Sequence, residues 1–223
     1  PDASAYGDRG SNTLGNIAKE VPLRLPTLRA LGLNRVAAIG DDAWNESAVG
    51  AVGRMAEASA GKDSVTGHWE MMGVVLDRPF PVFPHGFDRH IIAEFSKETR
   101  RGVLGNKAAS GTAIIDEYGE EHLRTGALIV YTSADSVFQI AAHEDVIPIA
   151  EQYRICKIAF EMVGRGMGVG RVIARPFVGV PGAFSRTSNR HDYALEPFGD
   201  TLLDLLTKSD VPVVAVGKTG DLF

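Results

Sequence analysis

The feature that most constrains the fold is an order of segments in the second half of the chain. Residues 127–132, ALIVYT, form an apolar β-rich run suited to a buried strand. Residues 151–163 then place Tyr153, Ile155, Cys156, Ile158, Ala159, Met162 and Val163 at helical spacing. A second β-rich run follows at 169–174, continued by Phe177 and Val178. Strand, helix, strand in that order predicts an α/β or α+β unit whose polar loops carry the sites.

Around this unit the elements are short. Residues 1–12 read as a loop and 13–20 as a helix capped by Ser11 or Asn12. A second helix is expected at 28–33, ending at Gly32, and a third over 48–60. The run RPFPVFPHG, 78–86, has three prolines and predicts an extended connector, the best candidate for a boundary. Beyond it, Phe87, Ile91, Ile92 and Phe95 form the stripe of an amphipathic helix over 87–99, and 112–118 predicts another. A helix at 200–206 and a buried parallel strand at 211–217, VPVVAVG, complete the series.

Composition narrows the function classes. With 44% hydrophobic and 23% charged residues the chain is an ordinary globular one. The formal charge of -5 argues against a general nucleic-acid binder, and no apolar stretch is long enough to span a bilayer, so a cytoplasmic protein is expected. Cys156, the only cysteine, excludes an internal disulfide and Cys-based zinc motifs, and its place in a helical stripe predicts core packing. Nothing bears on oligomeric state. Because the chain opens at Pro1 without methionine and stops at Phe223 just after a strand-like run, it reads as a fragment.

Three clusters carry possible chemistry. The turn AGKDSVTGHWE sets Lys62, Asp63, Ser64, Thr66 and His68 within seven positions; Ser64 is a candidate nucleophile that needs a base or metal to activate it, and His68 would face it on a helix. The alternative is that Asp63 or Ser64 caps a helix containing Trp69 and Met71. Ser133, Ala134, Asp135 and Ser136 directly follow a strand, either as ligand groups at its carboxyl end or as the cap of a next helix. Arg165, Arg171, Arg175, Arg186 and Arg190 alternate with glycines, which fits a phosphate-handling loop or a solvated basic face. The six histidines show no metal-binding spacing.

Several segments taken together, GKDSVTGHWEMMG, GNKAASGTAIIDEYGEEH, TGALIVYTSADSVFQIAAHE, VGRVIARPFVG and RTSNRHDYALEPFGDTLLD, resemble the phosphopentomutase family, and with DASAYGDRGSNTLGNIA and VGK the resemblance covers nearly all of the chain. It implies an α/β fold: part of an alkaline-phosphatase-like core with a smaller inserted α/β cap. The expected divisions are 1–76 for partial core with the nucleophile turn, 77–196 for the cap, and 197–223 for a hinge returning towards the core. It implies an isomerase that interconverts (deoxy)ribose 1-phosphate and 5-phosphate in nucleoside salvage, through a phosphorylated hydroxyl residue and a bisphosphate intermediate, with a sugar bisphosphate as activator. The hydroxyl position is Ser64, where the family usually has threonine, and Asn16 stands where it often has histidine. Matching substrate positions are Ser133, Asp135, Val137, Arg171, Ile173, Arg186 and Lys218. The family's two manganese ions are held by segments not matched here, so no metal ligand is expected in this chain and turnover by it alone is not expected. A non-catalytic pentose-phosphate-binding module and a related metal-dependent phosphatase are the competing readings.

Overall fold

The computed structural model describes residues 3–37, 39 and 48–223. Two compact units divide at Glu57 and Ala58. The expectations that rest on Pro1 and Asp2 lie outside the described residues.

The first unit opens with a 3-10 turn, Ala3–Tyr6, where a loop was expected. Helix α1, Thr13–Glu20, follows with Asn12 as its cap: the Asn12 side chain accepts the Gly15 N–H at 3.1 Å. Helix α2 is Pro26–Ala30, earlier than the expected 28–33, because proline at the first helical position needs no N–H partner and presets the backbone. A left-handed Gly32 separates it from a 3-10 turn, Leu33–Arg35. The helix expected over 48–60 does not form; the chain there is irregular, and Gly50, Gly53 and scattered small residues offer no continuous apolar stripe.

The second unit contains α3, Ser64–Met71; α4, Arg89–Thr99; β1, Val103–Ala108; α5, Gly111–Thr125; β2, Leu128–Thr132; β3, Val137–His143; α6, Ile149–Ala159; β4, Arg171–Val178; β5, Ser185–Arg186; β6, His191–Ala194; and α7, Leu202–Lys208. The chain is therefore α/β with a mixed sheet and, among the described residues, seven α-helices. None is long and apolar enough to cross a membrane.

The sheet runs β1-β2-β3-β4 with β5 and β6 both on the far edge of β4. Strands β1 and β2 are parallel, β2 and β3 antiparallel, β3 and β4 parallel. Alternation along each strand sorts the side chains into two faces. Leu128, Val130, Phe138, Ile140, Val172 and Ala174 point to one face and pack beneath α4 and α6, where Phe95, Ile155 and the buried Cys156 complete the larger core. Cys156 thus packs as expected, and burial pushes its thiol pKa up. Ile129, Tyr131, Ala141 and Phe177 face the other way, against Ile114 and Ile115 of α5.

Several expected elements stand, with shifted ends. The proline run 78–86 is free of helix and strand, the stripe at 87–99 is α4, and the helix at 112–118 extends to Thr125. The expected helix over 151–163 is α6 followed by a π-helical turn, Phe160–Arg165. Elsewhere the structure settles or departs from the sequence reading. Residues 133–136 cap no helix but link β2 to the antiparallel β3. Strand β1 carries a bulge at left-handed Asn106, whose amide exchanges two hydrogen bonds with the Phe87 backbone, so its composition lacks a strand's usual signature. Residues 211–216 are neither paired nor buried, with Val214 83% exposed, since β propensity makes no strand without a partner edge and none is present among the described residues.

One buried polar group ties α5 to the sheet. His122 Nδ1–H donates to the Ala127 carbonyl at 2.6 Å, and its Nε2 accepts the His143 N–H at 2.8 Å, an arrangement only neutral imidazole can make. Burial lowers its pKa, and the charges of His143 and Arg101 act in the same direction against the Ala127 hydrogen bond. A histidine whose folded-state pKa is depressed contributes stability above its ordinary value of about 6.5 and loses it as pH falls through the folded-state value. Urea unfolding should therefore show stability falling below about pH 6.5, and His122→Gln should flatten that fall; an unchanged pH profile in the variant would contradict the assignment.

Candidate functional site

Asp63 is the residue that brings the serine turn to the sheet. Its Oδ1 accepts the Val65 N–H at 2.7 Å and so caps α3, while its Oδ2 accepts the Ser136 N–H at 2.6 Å from the loop between β2 and β3. Burial raises the Asp63 pKa above its ordinary value, opposed by these two N–H bonds, and the Asp135 charge adds to the rise. Ser136 extends the clasp, since its hydroxyl donates to the Pro81 carbonyl and accepts the Gly170 N–H. At the other end of α3, Trp69 is fully buried, donates from Nε1 to the Leu222 carbonyl at 3.0 Å and meets Phe80 and Phe198 edge to face. The turn is thus anchored at both ends of its helix.

Capping by Asp63 leaves Ser64 at the first helical position, with its hydroxyl free to turn toward the sheet. The capping and the chemical readings of this turn are therefore compatible. Ser64 Oγ donates to Asp135 Oδ2 at 2.8 Å, a contact across 71 residues of sequence. The same oxygen accepts from Arg171 Nη2 at 2.9 Å. Arg171 Nη1 bonds Asp192 at 3.1 Å, and Arg190 grips both Asp192 oxygens at 2.7 Å. Burial works against the Asp192 charge, but the Arg190 hydrogen bonds and the charges of Arg190 and Arg171 outweigh it and hold the pKa below its ordinary value. His68 does face Ser64, though not its hydroxyl: Nδ1–H donates to the Ser64 carbonyl at 2.5 Å, which makes it part of the helix frame.

A cavity of about 300 Å³ lies over these groups. Ser64, Ser133, Asp135, Val137, Arg171, Ile173 and Lys218 all line it. The register explains the convergence. Val137 pairs with Arg171 and Gln139 with Ile173 across β3 and β4, so alternate residues of both strands reach the same face, beside the carboxyl end of β2. Lys218 comes from a 3-10 turn, Gly217–Asp221, far along the chain. Arg186 lines a different hollow of about 350 Å³, with Thr112, Asp116 and Phe184.

Sequence reasoning missed Gln139, Ser110 and Gly111, which also line the cavity. Gln139 Oε1 accepts Arg175 Nε at 3.2 Å. Their signal is weak in the sequence: Gln139 is the polar break in an apolar run, and Ser110 caps α5 by accepting the Ala113 N–H. Arg175 and Arg190 of the arginine cluster also line the cavity, whereas Arg165 pairs with Glu161 on the surface and fits the solvated reading. Among the described residues no three His, Cys, Asp or Glu side chains gather as a metal-binding group.

The site therefore combines one hydroxyl at a helix start, one carboxylate shared by that hydroxyl and a buried arginine, and a basic wall. Such a set suits recognition of an anion carried on a hydroxylated molecule.

No family model matches this chain. It is 56% identical over 223 residues to the phosphopentomutase of Caldanaerobacter subterraneus, a match covering all of this chain and 57% of that protein. The phosphopentomutase of Carboxydothermus hydrogenoformans is 57% identical over 224 residues, covering all of this chain and 58% of that one, and the phosphopentomutase of Dictyoglomus turgidum is 56% identical over 224. The chain spans a little over half the length of the curated relatives it matches. Along its whole length, this chain is related to the phosphopentomutases.

Proposed function

We propose that this chain supplies the nucleophile turn and the substrate-recognition lobe of a phosphopentomutase, acting on ribose and deoxyribose phosphates in the cytoplasm within nucleoside salvage. The observation that carries the reading is the convergence of Ser64, Ser133, Asp135, Val137, Arg171, Ile173 and Lys218 on one cavity. They come from α3, a strand linker, two strands and a distant turn, yet they form one wall.

In this reading Ser64 carries the phosphoryl group. It passes to one end of a pentose phosphate, giving a bisphosphate, and the phosphoryl group at the other end returns to Ser64; a sugar bisphosphate primes the cycle. Asp135 orients the Ser64 hydroxyl by accepting its hydrogen bond, and with Ser133 it addresses the sugar hydroxyls once substrate enters. Arg171, fixed by Asp192, and Lys218 attract the phosphate, and Val137 and Ile173 give the sugar an apolar wall. An alkaline-phosphatase-like core, with the β-sheet unit as its inserted cap, is the architecture that goes with this assignment.

Manganese ions, as the resemblance implies, would lower the cost of the serine alkoxide. The residues here do not fit them: the Ser64 hydroxyl faces a single carboxylate already shared with Arg171, and the described residues gather no donor set. No step is assigned to the ions on these residues, and this chain alone is expected to bind without turning over.

Mass spectrometry of the full-length protein after incubation with a pentose or glucose bisphosphate should find a phosphoryl group on the peptide containing Ser64, lost in Ser64→Ala. The chain alone should show no mutase activity with manganese. A phosphoryl group found only elsewhere, or manganese-dependent turnover by the 223 residues free of contaminating enzyme, would contradict the assignment.

A further inference from the structure

We propose that His191 and Asp221 are positioning residues: their contact holds the turn Gly217–Asp221 against β6 and so aims Lys218 into the cavity. The inference rests on the pentose-phosphate reading above, in which Lys218 attracts the substrate phosphate, and it identifies what fixes that lysine in place.

Lys218 depends on such a frame. It lines the cavity, yet the residue is exposed and its ammonium group bonds no other described residue. A lysine stem is flexible, so its charge goes where the backbone sends it. The backbone before the turn gives no support, because residues 211–216 pair with no strand among the described residues. Within the turn, left-handed Gly217 and the Thr219 hydroxyl, which donates to the Val216 carbonyl at 2.9 Å, set only the local shape. The contacts that fix the turn to the rest of the unit lie at its far end.

Two are made there. Leu222 is buried, and its carbonyl accepts the Trp69 Nε1–H at 3.0 Å, which ties the turn to the helix that carries Ser64. Asp221 Oδ1 lies 3.8 Å from His191 Nδ1, which ties the turn to the sheet. That distance is too long for a hydrogen bond and suits attraction between a carboxylate and a protonated imidazole. The His191 ring is itself held, edge to face with Tyr193 at 4.5 Å and tilted against Tyr153 of α6 at 5.4 Å. The two phenols that face His191 are neutral, and the adjacent Arg190 is spent on Asp192, which leaves the Asp221 charge to act on the ring.

Alternation along β6 makes this pair a bridge across a strand edge. Asp192 lies opposite Ile173 and turns to Arg171 and the cavity, so His191 and Tyr193 turn to the other face, where Tyr193 packs on the core beneath α6. The turn thus presents Lys218 to one face of the sheet and Asp221 to a side chain of the other. Asp221 does not line the cavity. A carboxylate near an anion site repels the anion, so Asp221 helps binding only through the placement of Lys218.

Isothermal titration calorimetry with ribose 5-phosphate tests the frame, using the full-length protein carrying Ser64→Ala so that no turnover occurs. Asp221→Asn and His191→Gln should each weaken binding about two- to fivefold at unchanged stoichiometry, and His191→Lys, which keeps a cation opposite Asp221, should bind about as the parent does. Neither loss should add to that of Lys218→Ala. The sign separates positioning from bulk charge, since removing a carboxylate near an anion site would by itself strengthen binding. Tighter or unchanged binding in Asp221→Asn, a further loss in the Lys218→Ala background, or reduced stoichiometry at constant affinity, the mark of a merely structural contact, would each overturn the proposal. A parent that binds no ribose 5-phosphate would instead overturn the pentose-phosphate reading itself, which keeps the two failures apart.

Discussion

The arrangement of this chain depends on one buried cation. Arg171 lies in a strand with its side chain 4% exposed, and a guanidinium cannot shed its charge on burial as lysine can. Its place is tolerable only because Asp192 and Asp135 meet it from two sides. Those partners have consequences. Asp192 draws β6 onto the edge of β4, and Asp135 reaches out of the β2–β3 linker to the hydroxyl of Ser64. The charge is thus both a structural joint and the back wall of the cavity.

A division of labour between the faces of the sheet makes this possible. Beneath α4 and α6 the strands present mainly apolar side chains, and that face supplies most of the hydrophobic core. On the opposite face α5 covers the apolar residues nearest it, whereas Val137, Gln139, Arg171, Ile173 and Arg175 line the open cavity. Asp63 and Trp69 then bring α3 up against this uncovered patch from outside the sheet. The serine is carried to the site by capping geometry, and the site face is polar because no helix lies over it.

Much of this was legible in the residues, for reasons that differ from element to element. The runs at 127–132 and 169–178 are strands because apolar β-branched residues in series fit a sheet buried on both faces. Strand β1 was not legible, since Gly105 and Asn106 interrupt it and its bulge is stabilised by Phe87 from a distant segment. The opposite error arose at 211–216, where local propensity is strong but pairing is a long-range property. In the site, the serine turn and the Arg cluster stood out by density alone. The resemblance proposed seven substrate positions, of which the cavity gathers six and leaves Arg186 in the next hollow. Gln139 and Gly111 became visible only through strand register and the placement of a helix start, which no spacing along the chain encodes.

Whether Arg171 and Asp192 act as one buried unit is open to a double-mutant cycle by urea unfolding, using Asp192→Ala, Arg171→Met and the pair. If the account holds, Asp192→Ala alone costs about 3–5 kcal/mol, because it strands buried arginine charge, and the double variant costs at least 1 kcal/mol less than the two single losses added together. Strict additivity, or an Asp192→Ala variant about as stable as the parent chain, would contradict it.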